Sequence, residues 1–405
     1  MAYSTSIAII GGGLAGLATA QALAARGIRS MIFEAAPALG EIGAAVGTSP
    51  QANKALAAIG LHDQVASVAN VSPGIYTRNM QDGQFLEYRD ARQAAARFGA
   101  PFYTFHRADL LDALVKGIDP SAIHLGHRLS NVTQGEDGVS LAFANGVEVK
   151  ADIVIGADGV RSVVRQALYG ADTPTYTGQM AWRALLKGSD VPRECLEPNG
   201  HVQWIGPGRH FIAYYIRGEE VVNIVSQQDT EQWVEESWSA RGDPSEMRAS
   251  FPDAEPRMKV LLDLVKDCSK WGLFTRPLTS DWGHGRIQLI GDAAHAMLPN
   301  VGQGACQAFE DAYILARWLD ACQDDFAEAF RSFRRIRIPR VHAVQRLAMA
   351  AARFKHMQNS VGQKELLAAG KGSTHGNIEW VWDYDPVAEW DKDPIVPATD
   401  AHALI

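Results

Sequence analysis

The stretch Ile7-Ala8-Ile9-Ile10-Gly11-Gly12-Gly13-Leu14-Ala15-Gly16 decides the fold of this 405-residue chain. Four apolar residues in a row suit a strand buried on both faces in the middle of a parallel sheet. The glycines fit GxGxxG at the point where a strand turns into a helix. Gly11 permits the tight turn, Gly13 lets a pyrophosphate approach the backbone, and Gly16 lets the helix sit close to the sheet. The helix, Leu14–Arg26, is rich in Ala and Leu and stops at Gly27, a C-cap residue. Its first turn offers bare N–H groups and the positive end of a dipole, which is an anion site. Arg29–Glu34 reads as the second strand. Glu34 falls eighteen residues after Gly16, where a carboxylate accepts hydrogen bonds from an adenosine ribose. The motif specifies a dinucleotide and leaves NAD and FAD open; taken alone it is also compatible with a glycine-rich turn that holds nothing.

Two further strand ends carry glycine and aspartate. Gly285–Ile290 is a strand running into Gly291-Asp292-Ala293-Ala294-His295, then Pro299-Asn300-Val301-Gly302-Gln303-Gly304 and a helix. A second bare helix N-terminus, far from the first, suits a long cofactor with a remote electron-rich ring. Reduced flavin carries negative charge near N1 and C2=O, so this element selects FAD. Asp292 is placed to hold a ribityl or pyrophosphate-side group, a role compatible with that of a plain helix N-cap. Gly156-Ala157-Asp158-Gly159-Val160-Arg161-Ser162 ends the apolar strand Ala151–Ile155; by itself Asp158-Gly159 is an ordinary turn signal.

The length exceeds one ordinary core and suggests two joined domains. From Gly74 to Tyr103 the pattern changes to the short alternation of antiparallel strands. His106–Lys116 reads as a helix and Gly138–Val149 as a hairpin about Asn145-Gly146. Strand-like runs recur over 173–280, among them His210–Ile216 and Val221–Ser226, with a helix over Val260–Asp267. Ile287–Ile290 then resumes the first sheet. Helices are expected over Pro50–Gly60, Gly304–Leu319 and Phe326–Lys355. In the tail, Trp380, Trp382 and Trp390 look exposed, which suggests either dimerisation or a cap on the chain's own helices. A net charge of -8 without a basic block argues against nucleic acid and anionic membranes as partners. No apolar run reaches the roughly 18 residues of a membrane span, and the N-terminus reads as a strand rather than a targeting signal. Cys195, Cys268, Cys306 and Cys322 form no CxxC pair and suit reduced thiols. A cytoplasmic monomer or homodimer is expected.

The ordered set GGGLAG…E, HRADL, GADGVRS and GDAAHAMLPNVGQG resembles the class A FAD-dependent aromatic monooxygenases, which have the p-hydroxybenzoate hydroxylase fold. It is most similar to their salicylate hydroxylase, 3-hydroxybenzoate 6-hydroxylase and 6-hydroxynicotinate 3-monooxygenase branch, over about residues 5–350. The resemblance implies an α/β fold class: a Rossmann-like FAD-binding domain of the GR2 type, an inserted, mainly antiparallel β-sheet substrate domain, and C-terminal helices. The FAD-binding domain is expected over 1–73, 104–172 and 281–355, the substrate domain over 74–103 and 173–280, and a tail over 356–405. The resemblance further implies tightly bound, non-covalent FAD, NADH or NADPH as transient co-substrate, and O2. A small aromatic substrate is hydroxylated through a flavin C4a-hydroperoxide. By the same resemblance Gly11, Gly13, Ala15 and Gly16 wrap the pyrophosphate, and Glu34 and Ala35 serve the adenosine ribose. Leu129 contacts the adenine side through its backbone. Arg107 contacts FAD near ribityl and phosphate, where the plain alternative is a solvent-facing helix arginine. Asp158 takes part in handling FAD and NAD(P)H, Asp292 holds the ribityl chain, and Gly302 and Gly304 face the isoalloxazine. Pro299 sets its backbone carbonyl beside the reacting flavin.

Ring hydroxylation by an electrophilic oxygen needs an electron-rich ring, so a phenol must be deprotonated or strongly hydrogen-bonded. The site therefore needs a base that titrates near neutrality in a water-excluding pocket. Histidine is such a base. In His210-Phe211-Ile212-Ala213-Tyr214 the strand period puts His210, Ile212 and Tyr214 on one face. Without the resemblance His210 is a plain strand histidine; with it, His210 and Tyr214 face the substrate and orient or deprotonate it. Three positions depart from the nicotinate enzymes: Gly47 and Asn300 stand where those have histidines, and His201 lies near a cysteine position. His295 is expected in the core. Arg183 and Arg217 are both candidates to hold a substrate carboxylate, with neither singled out. Three other functions stay open at this level: an FAD epoxidase or hydroxylase of larger polycyclic or isoprenoid substrates, an NAD-dependent dehydrogenase in which Gly291–Gly304 has no role, and a non-enzymatic flavin-binding module.

Overall fold

The computed structural model describes residues 2–388 except 41–44, 172, 197, 199, 231–240 and 375. Its first sheet runs Gly283–His284, Ile287–Leu289, Glu148–Gly156, Ala2–Ile10, Met31–Phe33, Ile123–His124, with the hairpin Leu129–Gly135 and Gly138–Phe143 paired onto Glu148–Gly156. The centre is parallel, with Ile10 opposite both Gly156 and Phe33, and Gly156 opposite Leu289. Three segments distant in sequence therefore end side by side, and their glycine-and-aspartate turns share one edge. Ligands of open α/β sheets bind at this carboxyl edge. Ile7–Ile10 are buried on both faces, as a central parallel strand requires. The helix Leu14–Ala24 packs on the helix Gly304–Cys322 through the same core.

The second large sheet runs Arg241–Gly242, Cys268–Thr275, Thr175–Lys187, Val221–Asp229, Arg209–Ile216, His201–Gly206, Gly74–Asn79, Phe85–Asp90. It is antiparallel except where His201–Gly206 meets Gly74–Asn79. The two faces differ. Trp182, Ala184, Phe211, Ala213, Val222 and Ile224 form an apolar core under the helices Pro244–Ala249 and Pro256–Leu264. The alternate positions carry Gln203, His201, His210, Asn223 and Gln227, all buried. A buried face this rich in polar groups needs partners and is not selected for packing alone. On that face Ala181, Trp271 and Leu273 meet Val344, Leu347 and Ala351 of the long helix Phe326–Lys355.

Several sequence expectations shift. The strand pattern over 74–103 resolves into Gly74–Asn79 and Phe85–Asp90, then the helix Ala94–Phe98, and Tyr103–His106 joins a separate sheet with Ala45–Thr48 and Asn70–Val71. The helix expected over Val260–Asp267 is Pro256–Leu264, because Glu255 caps it through Arg257 N–H and Pro256 occupies its first turn. The second strand shrinks to Met31–Phe33. The tail tryptophans are not exposed: Trp382 is buried with its ring 5.7 Å from both Phe98 and Phe102, and Trp380 packs on the same cluster. Trp390 lies outside the described residues. No helix among the described residues is long and apolar enough to cross a membrane.

Candidate active site

The nucleotide end is built by close backbone approach. Gly11 N–H donates to Phe33 O at 2.9 Å, and at φ +108° a Cβ on Gly11 would lie 2.4 Å from Ala157 O. A Cβ on Gly16 would lie 2.0 Å from Gly11 O, so only glycine lets this helix start against the strand. Gly13 is the reverse case. It is the N-cap of Leu14–Ala24 with no side-chain cap, and a Cβ there meets nothing within 4 Å. The helix N-terminus thus faces open space of the kind a pyrophosphate fills. Glu34 is aimed at the turn: Gly12 N–H donates to Oε2 at 2.6 Å and Ala36 N–H to Oε1 at 2.7 Å.

The turn at Gly291 repeats this geometry. Gly291, at φ +55°, is the N-cap of Asp292–His295, and the Asp292 side chain makes no cap bond. The N-cap reading of Asp292 is therefore corrected: its carboxylate is exposed on the cavity wall. The helix Gly304–Cys322 begins at Gln303 without a side-chain cap, and a Cβ on Gly302 or Gly304 would meet nothing within 4 Å. His295 is buried, its Nε2 2.6 Å from Asp311 Oδ2, which also accepts Gly291 N–H at 2.9 Å. Burial alone would raise the Asp311 carboxyl, but His295 and Arg337 outweigh it and hold it at about 2. His295 is thus a core residue that braces the turn.

A cavity of about 800 Å³ joins the two glycine-rich turns to the polar face of the second sheet. Gly13, Ala15 and Asp292 line one end, Gly302, Gly304 and Pro299 the middle, and His210 and Tyr214 the far wall. Arg107 starts the helix Arg107–Val115, is half-buried and lines the cavity. Asp158 lines it too, with both carboxylate oxygens engaged: Oδ2 accepts Val163 N–H at 2.7 Å and Val164 N–H at 3.2 Å, Oδ1 accepts the Ser162 hydroxyl at 2.5 Å, and burial raises it. Pro299 O accepts Gly302 N–H at 2.9 Å. Ala35 and Leu129 stand outside this lining, Leu129 buried opposite Phe143. Gly47 lines it, with the Phe102 ring 3.4 Å from where a Cβ would stand.

His210 is fully buried, with Nδ1 2.8 Å from His356 Nε2. The Tyr214 ring lies 4.6 Å from that of His201, tilted by 32°, and burial pushes its phenol up to about 12. At neutral pH Tyr214 is therefore a hydrogen-bond donor and not a base. Burial pulls His201 down to about 3, so it is neutral. Arg183 lines the cavity with its guanidinium 4.8 Å from the Trp271 ring centroid. Arg217 lies elsewhere and pairs with Asp109.

The sequence reading missed Lys355. It is fully buried in the cavity wall and donates to Asn300 O at 2.8 Å, and burial pulls its ammonium down to about 7. Beside it, the buried Asn300 side-chain amide has no hydrogen-bond partner among the described residues. As the last residue of an amphipathic helix, Lys355 reads as an ordinary solvated end cation, and nothing local marks it otherwise.

The profile of the family described as FAD binding domain matches residues 4–346. A 3-amino-4-hydroxybenzoate 2-monooxygenase of Streptomyces cremeus is 34% identical over 380 residues, 93% of this chain and 94% of that protein. A 3-hydroxybenzoate 6-hydroxylase of Klebsiella oxytoca is 34% identical over 385 residues, 93% of this chain and 96% of the relative. Among solved structures, a salicylate hydroxylase substrate complex superposes with a TM-score of 0.80 at 27% identity, covering 95% of this chain and 97% of that one.

Proposed function

Because the chain belongs to the FAD binding domain family and is an FAD-dependent aromatic hydroxylase, we propose that it hydroxylates a small phenolic or hydroxypyridine-type aromatic acid with His210 as the base. In this reading 1–73, 104–172 and 281–355 carry the cofactor, and 74–103 with 173–280 carry the substrate. The open cradles at Gly13, Gly302 and Gly304 fit a pyrophosphate at one end and a flavin ring at the other. When bound, FAD would take two electrons from NADH or NADPH and activate O2, one atom of which would enter the ring while the other leaves as water.

The protein's own part follows from the wall. His210 takes the proton of the substrate hydroxyl, and the resulting phenolate makes the ring electron-rich. Tyr214, protonated well above neutral pH, donates to an oxygen of the substrate and fixes the ring's orientation. The buried wall keeps water from the reacting centre. The observation that carries this reading is that His210 and Tyr214 share one buried face of a cavity continuous with both glycine-rich turns. The test is NADH oxidation across hydroxybenzoates, salicylates and hydroxypyridines, with product and peroxide both measured. If none of them stimulates oxidation with product, the substrate class is wrong.

Lys355 supports the acid part of the reading. A buried ammonium beside an unsatisfied amide is a site for a carboxylate. Lys355→Met is expected to raise KM for a phenolic acid about thirtyfold or more, the cost of removing one partner of a buried charged pair. The same phenol without its carboxylate should be unaffected. The sign of the pH effect follows from the depressed ammonium. Only its protonated form binds an anion, so affinity for the acid falls about tenfold per pH unit above about 7. Titration calorimetry in two buffers should show proton uptake on binding above that pH. Affinity flat from pH 6 to 9 would remove Lys355 from the role.

A further inference from the structure

A buried base that accepts a proton in every turnover must also lose it, and His210 has no exposed surface. We propose that His356 and Asp229 form a proton relay that carries the substrate proton from His210 to solvent. This rests on the reading of His210 as the base.

The geometry is a continuous chain. His210 Nδ1 is 2.8 Å from His356 Nε2, and His356 Nδ1 is 2.6 Å from Asp229 Oδ1. The two imidazoles are buried, while the Asp229 side chain is 43% exposed. Asp229 therefore ends the chain at water. The carboxylate only accepts, so His356 carries its proton on Nδ1 and presents a lone pair at Nε2. His210 must then donate from Nδ1, which makes its Nε2 the basic nitrogen. One exposed carboxylate thus sets both tautomers. The backbone holds the parts in place: Gly208 N–H donates to His356 O at 3.1 Å, and Asp229 N–H donates to Gly208 O at 2.8 Å. The Gln179 amide nitrogen lies 3.2 Å from His356 Nδ1 and donates to Asp229 Oδ1 at 2.9 Å, which steadies the carboxylate.

The transfer balances. The substrate O–H bond breaks and an N–H bond forms at His210 Nε2. The His210 Nδ1 proton moves to His356 Nε2, and the His356 Nδ1 proton moves to Asp229, which releases it to water. One proton leaves, the substrate becomes a phenolate, and no electrons change hands. The reverse passage returns a proton to the product and restores both tautomers.

The experiment follows phenolate absorbance in stopped flow when substrate meets the oxidised holoenzyme, with no NADH present, and a pH indicator reports proton release. Asp229→Asn leaves an acceptor for His356 but no carboxylate to take the proton. It is expected to slow phenolate formation at least tenfold while substrate Kd stays within about threefold. His356→Gln should do the same, and both variants should divert NADH to peroxide during turnover. Phenolate formation within twofold of wild type in Asp229→Asn overturns the relay. Slowed formation that comes only with a tenfold weaker Kd in both variants also overturns it, because that is a structural role. Normal phenolate formation in His210→Ala instead refutes the base assignment, which separates the two failures.

Discussion

His210→Ala is expected to cut coupled hydroxylation by about two to four orders of magnitude, the usual contribution of a positioned general base. FAD should remain bound at wild-type stoichiometry. His210 lies on the second sheet, while the close contacts that shape the cofactor cradle come from Gly11, Gly16 and Ala157 on the first. Flavin reduction should persist, with the electrons appearing as peroxide, because a neutral phenol is a poor acceptor for an electrophilic oxygen. The loss should fall on product yield and kcat more than on substrate Kd, since Tyr214 and Lys355 remain to bind the ring and its acid group. Tyr214→Phe should cost less, because it removes a donor and not the proton acceptor. Product yield near wild type in His210→Ala would remove histidine as the base and leave the His210–His356 contact a structural one.

What could be read from the sequence divides by range. Gly11, Gly13 and Gly16 are legible because backbone geometry over one turn dictates them, and the turns at Gly156–Gly159 and Gly291–Gly304 are legible for the same reason. The placement of His210 and Tyr214 on one face is legible because a strand's period of two is local. The contacts of Lys355, His356 and Asp229 are not, because they form only when the end of the long helix lands on the second sheet. Local sequence gives Lys355 the look of a solvated helix end and Asp229 that of a strand-edge charge. The choice between Arg183 and Arg217 is likewise tertiary: Arg183 lies within the strand Thr175–Lys187 and reaches the cavity, whereas Arg217 sits in the turn after Arg209–Ile216 and does not. For Asp292 the sequence offered two compatible roles, a cofactor contact and a helix N-cap; Gly291 at positive φ starts that helix itself, which removes the cap and leaves the carboxylate on the cavity wall. Trp382 reads as exposed in a polar tail, although Phe98 and Phe102, some 280 residues earlier, cover it.

The strongest test of the cofactor site sets two glycines of one motif against each other. Gly16→Ala puts a Cβ 2.0 Å from Gly11 O, so either the helix or the turn must move. Both the fold and the cofactor should suffer: a protein purified without yellow colour and an apoprotein several degrees less stable, as expected for strain of about 1–3 kcal/mol in a well-packed element. Gly13→Ala puts its Cβ into open space, with no protein atom within 4 Å and an ordinary φ of -79°. No protein atom blocks it: alanine reduces the freedom of the unfolded chain but is a poorer N-cap than glycine, and the two effects oppose each other. Its apo Tm should therefore stay within a few degrees of wild type. The methyl nevertheless stands where the pyrophosphate must meet the bare helix N-terminus, so FAD affinity should fall at least about a hundredfold by fluorescence titration. A loss of stability without cofactor can be produced by any poor substitution near a strand. A loss of FAD binding in a protein as stable as before can come only from occupying the ligand's own place. If Gly13→Ala binds FAD as tightly as wild type, the pyrophosphate does not sit at this helix, and the assignment of Gly11–Gly16 to the cofactor fails with it.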